Sequence, residues 1–232
     1  WHEPLSLLTM IAAHTTNIKL ATAILIAPLR NPALLAKTAA TIDVISKGRL
    51  ELGVGLGWQE EEFQAAGVSF DERSEIFWET LDICQSLWKD SPASYQGNHF
   101  NFENIWCHPQ PMQEDNIPLL FGLKMTQTNA AKIAKIGHGW IPIKTSRDFI
   151  SSGRDILQEA FAAAGRKDKP RIRGQLPTCV DKNGVPNIEL TLLELEKSIS
   201  AGLDEVEVFP INFVQSPEDI QQVLTLIAEV KK

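Results

Sequence analysis

The chain of 232 residues has a net charge of −7, with 44% hydrophobic and 22% charged residues. This composition is ordinary for a folded globular protein, and the length suffices for one large hydrophobic core. The acidic balance argues against nucleic acids and anionic membranes as partners, because both attract basic proteins. No apolar run approaches the roughly 18 residues that span a bilayer, and no signal-peptide pattern opens the chain.

The three cysteines, Cys84, Cys107 and Cys179, are widely spaced and form no C-x-x-C motif or Cys/His cluster. A sparse, odd set of this kind indicates reduced thiols in a cytoplasmic protein. The five histidines include no pair at the helical spacing of a metal site. We therefore expect no structural zinc and no other metal.

Helical and strand patterns alternate along the chain. A helix is predicted over residues 4–14 and a strand over 18–27, whose nearly continuous apolar run is typical of a parallel strand buried on both faces. Asn31 and Pro32 fit the N-cap and first position of a helix over 31–46. The later strands are predicted at 49–55, 117–121, 139–143, 171–179 and 205–210, and the later helices at 59–66, 72–89, 126–136, 147–164, 188–201 and 217–231.

Six strands, each followed by a helix, predict an α/β fold with a parallel sheet and right-handed crossovers. Eight such units close a TIM barrel, so the chain supplies about six of eight strands. Residues 91–116 interrupt the alternation, and their aromatic and polar pattern predicts a rim insertion with a short hairpin. We expect residues 1–232 to form one barrel domain. Because an incomplete barrel exposes two sheet edges, we also expect a homo-oligomer.

The first candidate site is the glycine-rich segment GVGLGW, residues 53–58, where a strand ends. A dinucleotide fingerprint would need glycine in place of Trp58 and an acidic residue ending a second strand about 20 positions later, and neither is found. Gly53 and Gly55 are explained as well by crowding in a packed strand. Gly57 lies at the carboxyl rim, where it would let a flat ring approach the backbone beside Trp58.

The second candidate site is the turn FGLK, residues 121–124, before the helix predicted to start near Thr126. Gly122 and the helix N-terminus expose backbone N–H groups, and the helix dipole favours an anion there. Lys124 adds a positive charge, and Thr126 and Thr128 add hydroxyls. The turn thus has the parts of a phosphate site, although an ordinary strand–helix turn with a surface lysine would have the same sequence.

Ordered motifs along the chain resemble the luciferase-like monooxygenase superfamily. They are AAHTTNIKLATAILIAPLRNPALLAKTAATIDVISKGRLELGVGLGW, EEEFQAAGV, YQGNHFNF, PQPMQ, IPLLFGLK and KIAKIGHGWIPI. The resemblance covers roughly residues 4–143, and its strength lies in the order and spacing of the pieces. It implies a bacterial-luciferase-type TIM barrel that holds FMN or a deazaflavin (coenzyme F-420) at its carboxyl rim.

The resemblance also assigns site residues. The strand that contains Ala23 and Ile24 matches one in which several members have a non-proline cis peptide behind the ring. His138 stands where the family motif Gly-Asp-Gly-Trp has its acid. The residues assigned to the cofactor are Ala23, Ile24, Gly55, Gly57, Trp58, Gly122, Leu123, Lys124 and Thr126. Family members normally have a strand, a helix and a second strand before the segment at Trp1. Because those strands often carry the catalytic histidine or acid, no catalytic residue is assigned here.

Three functions agree with these features. The leading one is a monooxygenase that oxidises a small organic substrate with oxygen and reduced FMN, supplied by a flavin reductase. The second is a deazaflavin-dependent oxidoreductase that transfers hydride. The third is a non-catalytic flavin-binding barrel or an inactive truncated member. The leaning of the composition to Lys, Asn and Ile favours FMN over the deazaflavin.

Overall fold

The structure is a computed structural model that describes residues 2–144, 146–214 and 216–229. Helices and strands alternate in it along most of the chain. The strands are β1 (Leu20–Ile26), β2 (Leu50–Gly55), β3 (Ala93–Gln96), β4 (Asn101–Ile105), β5 (Leu119–Gly122), β6 (Gly139–Trp140), β7 (Arg171–Gln175) and β8 (Glu205–Glu207). The helices are α1 (Pro4–His14), α2 (Pro32–Ser46), α3 (Glu60–Ala66), α4 (Arg73–Lys89), α5 (Gln127–Ile136), α6 (Arg147–Ala163), α7 (Ile188–Ser200) and α8 (Ile220–Glu229).

The chain divides into two compact units, residues 1–122 with 136–138, and residues 123–135 with 139–232. The first unit contains the parallel strands β1, β2 and β5, with β2 between the other two. All six residues of β2 are buried, as the glycine- and aliphatic-rich sequence predicts. The carboxylate of Glu51 on this strand is paired with the Lys19 ammonium at 2.6 Å, which offsets the cost of burying its charge.

Helices α2 and α4 cover this sheet, and the sequence signals at their ends act as predicted. The Asn31 side chain caps α2 by accepting a hydrogen bond from the Leu34 N–H at 3.1 Å. Lys47 ends the helix in the left-handed conformation, with φ of 58°. From α4, the Trp88 indole N–H donates to the carbonyl oxygen of Ala36 at 2.9 Å, which ties the two helices together.

A carboxyl group in the last turn of α2 holds the loop between β4 and β5. The side chain of Asp43 on α2 is fully buried. It accepts hydrogen bonds from the Met112 backbone N–H and from the Gln113 side-chain amide, both at 2.8 Å. The same Gln113 amide donates to the carbonyl oxygen of Leu50 at 2.9 Å. One buried carboxylate therefore connects a helix, a loop and a strand of the first unit.

The predicted hairpin is confirmed as the antiparallel pair β3 and β4. Its turn is fixed by Glu79 of α4, whose carboxylate accepts hydrogen bonds from three successive backbone N–H groups. These belong to Asn98 at 2.7 Å, His99 at 3.1 Å and Phe100 at 3.3 Å. Gly97 leaves space for the carboxylate, since a Cβ there would lie 2.5 Å from Glu79 Oε2.

The second unit contains the parallel strands β6, β7 and β8, with β7 between the other two. Trp140 of β6 is fully buried and packs on Gly153 of α6, where a Cβ would lie 2.2 Å from the indole ring. Its register partner on β7 is Ile172, which is also buried. Trp140 and Ile172 therefore mark the face of this sheet that the helices cover.

Several predicted strands are longer than the observed ones, and each excess segment contains a proline. The strands predicted to end at residues 143, 179 and 210 end at Trp140, Gln175 and Glu207. Proline lacks the N–H that a strand ladder needs, which explains the early ends. The prolines concerned are Pro142, Pro177 and Pro210.

Two further boundaries correct the predictions. The first strand, predicted to residue 27, gives way at Ala27–Leu29 to a 3-10 turn that contains Pro28. The last helix, predicted over 217–231, begins with the 3-10 turn Pro217–Asp219 and is helical over Ile220–Glu229. Residues 230 and 231 of that prediction lie outside the described residues. The single-domain interpretation of residues 1–232 stays a prediction.

In the described ranges, no helix is both long and apolar enough to cross a membrane. The same residues contain no group of three or more His, Cys, Asp or Glu side chains placed to hold a metal ion. Cys84 and Cys107 are buried thiols and Cys179 is half-buried, all three outside any disulfide. Burial raises the pKa of the Cys84 thiol well above its ordinary value, which keeps that side chain protonated.

Candidate cofactor site

The carboxyl ends of β1, β2 and β5 meet around the side chain of Ile24. A Cβ on Gly55 would lie 2.0 Å from Ile24 Cδ1, and a Cβ on Gly122 would lie 2.7 Å from Ile24 Cγ2. Both glycines therefore give space to one isoleucine that lies over two neighbouring strands. Ile24 itself remains 37% exposed. The structure thus brings together three of the residues assigned to the cofactor. Gly55 also relieves crowding between packed strands, which is the other explanation that the sequence offered for this glycine.

A bulge in β1 explains why Ile24 points this way. Thr22 pairs with Leu52, but Leu25 pairs with Val54, so β1 contains one more residue than β2 over this stretch. Ala23 and Ile24 are consequently both exposed, against the alternation of a regular strand. The Ala23–Ile24 peptide bond is cis, as the resemblance implies for this strand.

Gly57 and Trp58 follow β2 at the same edge. Gly57 has φ of 79°, and a Cβ there would lie 2.7 Å from Ile26 Cγ2 and 2.9 Å from Phe63 Cε2. Glycine is required at this position both by the backbone conformation and by the close packing. Trp58 is 82% exposed, so the indole is available to cover a bound ring. We call Ile24, Gly55, Gly57, Trp58 and Gly122 the ring surface.

The turn of residues 123–126 in the second unit has a well-defined backbone. The carbonyl oxygen of Leu123 accepts a hydrogen bond from the Trp140 indole at 2.8 Å, and that of Lys124 accepts one from the Asn129 amide at 2.9 Å. Thr126 is the N-cap of α5, because its Oγ1 accepts from the Asn129 N–H at 3.1 Å. The hydroxyl proton of Thr126 remains able to donate to a ligand.

The charge at this turn is positive. Lys124 is exposed and takes part in no ion pair within the described part of the chain. The N-terminus of α5 adds the partial positive charge of the helix dipole. We call residues 123–126 the anion turn, since both features favour a phosphate or carboxylate there.

His138 replaces the acid of the family motif with a different hydrogen-bond acceptor. Its ring Nδ1 accepts a hydrogen bond from the backbone N–H of Leu119 at 3.3 Å, while the backbone N–H of His138 donates to the Leu119 carbonyl oxygen at 2.8 Å. The ring therefore extends the backbone pairing of β5. This geometry assigns His138 a structural position in the first unit.

Variants of His138 are expected to separate this acceptor role from any other. His138→Asp keeps an acceptor and should change the free energy of unfolding by less than about 1 kcal/mol. His138→Leu leaves the Leu119 N–H without its side-chain partner and should cost about 1–3 kcal/mol. Urea unfolding of both variants checks this, and equal losses in the two would contradict it.

Sequence reasoning missed a charged cluster in the second unit. Arg171 and Arg173 on β7 face Glu205 and Glu207 on β8, and Arg173 and Glu205 are register partners. The signal was present as charges at alternate positions of two short strands. The sequence alone does not bring the two strands together, because the arginines and the glutamates lie more than thirty residues apart, with a predicted helix between them.

Each of the two features has its own chemistry. In the first unit, Ile24 and Trp58 present apolar and aromatic surface that suits a planar ring. In the second unit, Lys124 and the N-terminus of α5 present positive charge that suits a phosphate.

Comparisons with known proteins identify relatives of this chain by sequence. The chain is 37% identical over 171 residues to the uncharacterized protein Rv0953c of Mycobacterium tuberculosis, which covers 73% of this chain and 60% of that protein. It is 33% identical over 189 residues to the F420-dependent glucose-6-phosphate dehydrogenase of Kineococcus radiotolerans, covering 78% of this chain and 53% of that enzyme. The chain therefore spans about 60% or less of the length of these curated relatives.

Solved structures show the fold. An F420-dependent secondary alcohol dehydrogenase in complex with an F420-acetone adduct matches with a TM-score of 0.83 and 16% identity, over 100% of this chain and 84% of that chain. Monooxygenase RslO1 from Streptomyces bottropensis matches with a TM-score of 0.72 and 22% identity, over 98% and 72%. The predicted fold class is confirmed, with six parallel strands of a bacterial-luciferase-type TIM barrel in this chain.

The family assignment comes from the sequence itself. The sequence profile of the luciferase-like monooxygenases matches residues 1–184, which is more than half of the chain and includes the ring surface and the anion turn. The family has both flavin-dependent and F420-dependent members. The chain belongs to the luciferase-like monooxygenase family.

Proposed function

We propose that the protein is an oxidoreductase that binds reduced FMN and oxidises a small organic substrate with oxygen. The observation that carries the proposal is the ring surface, where Ile24 lies exposed over Gly55 and Gly122 at adjacent strand ends. Larger side chains at the two glycines would displace Ile24 and remove this surface. An isoalloxazine ring is planar and largely apolar, so Ile24 and Trp58 would hold it by packing.

The anion turn supports a phosphorylated cofactor. Lys124 would pair with the FMN phosphate, and the Thr126 hydroxyl and the α5 N-terminus would donate hydrogen bonds to it. When bound, reduced FMN would supply the electrons for oxygen activation. The protein would orient the ring and exclude water from it. A flavin reductase is the partner that we propose for the supply of reduced FMN.

Two relatives support different cofactors. The FMNH(2)-dependent dimethylsulfone monooxygenase of Pseudomonas fluorescens is 32% identical over 119 residues, covering 50% of this chain and 32% of that enzyme. The F420-dependent glucose-6-phosphate dehydrogenase matches more of this chain. A deazaflavin-dependent hydride transfer is therefore the second candidate function.

Cofactor titration tests the proposal. Increasing amounts of the protein are added to FMN and, separately, to coenzyme F-420, and the fluorescence of each is followed. FMN fluorescence should change saturably, and reduced FMN with oxygen should then oxidise members of a substrate panel. Uptake of F-420 alone would favour the second candidate, and FMN uptake without turnover would favour a flavin-binding barrel. Absence of uptake of either cofactor would refute all three.

Lys124 variants test the anion turn separately from the ring surface. Lys124→Ala should weaken FMN binding about five- to thirtyfold, because a charge-assisted hydrogen bond contributes roughly 1–2 kcal/mol at such a site. Binding of riboflavin, which has no phosphate, should be unchanged. Lys135→Ala on the last turn of α5 is the matched control. An equal loss of FMN and riboflavin affinity would contradict the role of Lys124.

We also propose a cytoplasmic homo-oligomer. In the described residues β1 pairs only with β2, and β8 only with β7, so each leaves an edge open to association. The reduced thiols suit a reducing compartment. Light scattering after gel filtration tests the oligomer, and a mass of one chain would contradict it.

A further inference from the structure

A cluster of four charged side chains lies on the face of β7 and β8 that the helices do not cover. Gly174 and its register partner Val206 lie on the helix side, where a Cβ on Gly174 would be 2.8 Å from Leu203. Side chains alternate along a strand, so the odd-numbered residues lie on the opposite face. These residues are Arg171, Arg173, Glu205 and Glu207. In a barrel that face is the interior, which aliphatic side chains normally fill.

Three of the four charged side chains are joined through Glu205, which leaves them with one net positive charge. Arg171 Nη1 donates to Glu205 Oε1 at 3.1 Å, and Arg173 Nε donates to Glu205 Oε2 at 2.6 Å. Arg173 Nη2 also contacts Oε2. Both oxygens of Glu205 are thus engaged by arginines, and the Arg173 side chain is only 9% exposed. The pairing is that of a partly buried ion cluster, with Arg173 as its most buried member.

Glu207 differs from Glu205 because one of its carboxyl oxygens has no hydrogen-bond partner in the described part of the chain. Its Oε1 is buried and has no hydrogen-bond partner among the described residues. The residue as a whole is only half-buried. Burial raises the pKa of Glu207, Arg173 on β7 acts to lower it, and Glu205 on β8 raises it further. A protonated carboxyl has an O–H to donate.

The position of Glu207 is that of a barrel ligand-binding residue. It is the last residue of β8, at the carboxyl end of the strand, where barrel sites are built. The anion turn lies at the carboxyl end of the same sheet, because the Leu123 carbonyl accepts from Trp140, the last residue of β6. Strands β6 and β8 are two strand spacings apart, about 10 Å.

We infer that the Glu207 carboxyl donates a hydrogen bond to an acceptor oxygen, carbonyl or carboxylate, of a small ligand at the carboxyl end of β8. The positive charge of Arg171 and Arg173 beside it favours the same kind of atom and disfavours a cation. Glu205 acts as a positioning residue that holds the two arginines. Where the ligand is taken to be the substrate, the inference rests on the proposed function and specifies its chemical class.

Carbon-13 NMR of the full chain, with glutamate labelled at the side-chain carboxyl carbon, tests the inference. The Glu207 resonance is identified by its loss in Glu207→Gln. It should titrate above the ordinary range of glutamate, and it should shift on addition of cyclohexanone or cyclohexanecarboxylate. Cyclohexylammonium, which has no acceptor oxygen, should leave it unmoved. The stronger of the two responses distinguishes a carbonyl from a carboxylate ligand.

Binding measurements on variants add a second readout. The affinity of wild-type protein for the acceptor probe should fall as the pH rises through the Glu207 transition, because the donated proton is then lost. Glu207→Gln keeps a donor and should bind within about twofold of wild type at low pH, without that transition. Glu207→Ala should bind about fivefold more weakly. Glu189→Gln, at an exposed position of α7, is the matched control.

The inference is overturned if the Glu207 resonance titrates in the ordinary range, if neither acceptor probe moves it, or if Glu207→Ala binds the probes as tightly as wild type. FMN titration of the same sample separates the two proposals. Loss of FMN uptake with an intact Glu207 response would refute only the proposed function. FMN uptake without a Glu207 response would refute only this inference.

Discussion

Replacing Asp43 with alanine is expected to lower the free energy of unfolding by about 3 kcal/mol or more. The fully buried carboxylate accepts hydrogen bonds from the Met112 N–H and the Gln113 amide. Hydrogen bonds to a charged acceptor contribute roughly 1.5–3 kcal/mol each, and both donors would be left without this partner. The loss should appear as a lower midpoint of urea unfolding, with the slope of the transition unchanged.

Two further variants show whether the hydrogen bonds are the cause. Asp43→Asn keeps one acceptor oxygen and should lose roughly half as much stability. Asp71→Ala removes an exposed carboxylate and should stay within about 0.5 kcal/mol of wild type. If Asp43→Ala and Asp71→Ala unfold at the same urea concentration, the proposed connection between helix, loop and strand is wrong.

Gly122→Val is expected to weaken cofactor binding at least about tenfold while the protein stays folded. A Cβ at residue 122 would lie 2.7 Å from Ile24 Cγ2, so the valine must push the isoleucine off the ring surface. Such overpacking costs about 1–3 kcal/mol of stability. The dissociation constant for FMN should rise at least about tenfold, equivalent to a loss of roughly 1.4 kcal/mol of binding free energy.

The matched control adds the same side chain where there is space. Ala65 on α3 is exposed, and Ala65→Val should bind FMN as the wild type does. Circular dichroism and urea unfolding confirm that Gly122→Val retains its fold. Wild-type FMN affinity in a folded Gly122→Val protein would show that Ile24 and its two glycines do not contact the cofactor.

The order of helices and strands could be predicted because most apolar segments are bounded by residues that typically start or stop a helix or strand. Asn31 and Pro32 are examples, since the predicted cap and first turn are those observed. The ends of the strands were less accurate where a proline followed an apolar run, as at Pro142 and Pro177. There the hydrophobic pattern continues into buried loops, and only the missing N–H ends the ladder.

The candidate site was predicted in its residues but not in its packing. Periodicity cannot reveal the bulge in β1, because it depends on pairing with a strand some thirty residues later. Unless the bulge is known, the packing of Ile24 against Gly55 and Gly122 cannot be predicted from the sequence. The role of Glu207 was missed for a similar reason, since its surroundings are formed by β7, another strand about thirty residues away.

The hold of Glu79 on the hairpin turn has a practical consequence for protein engineering. Because the carboxylate recognises only backbone N–H groups, the side chains of Asn98 and Phe100 do not take part in the anchorage. Gly97 must be retained, and the His99 ring lies 3.5 Å from the Glu75 carboxylate of α4, but positions 98 and 100 can be randomised without detaching the loop. The β3–β4 hairpin is thus a ready place to graft new sequence onto a stable scaffold, as loops are exchanged between antibody frameworks.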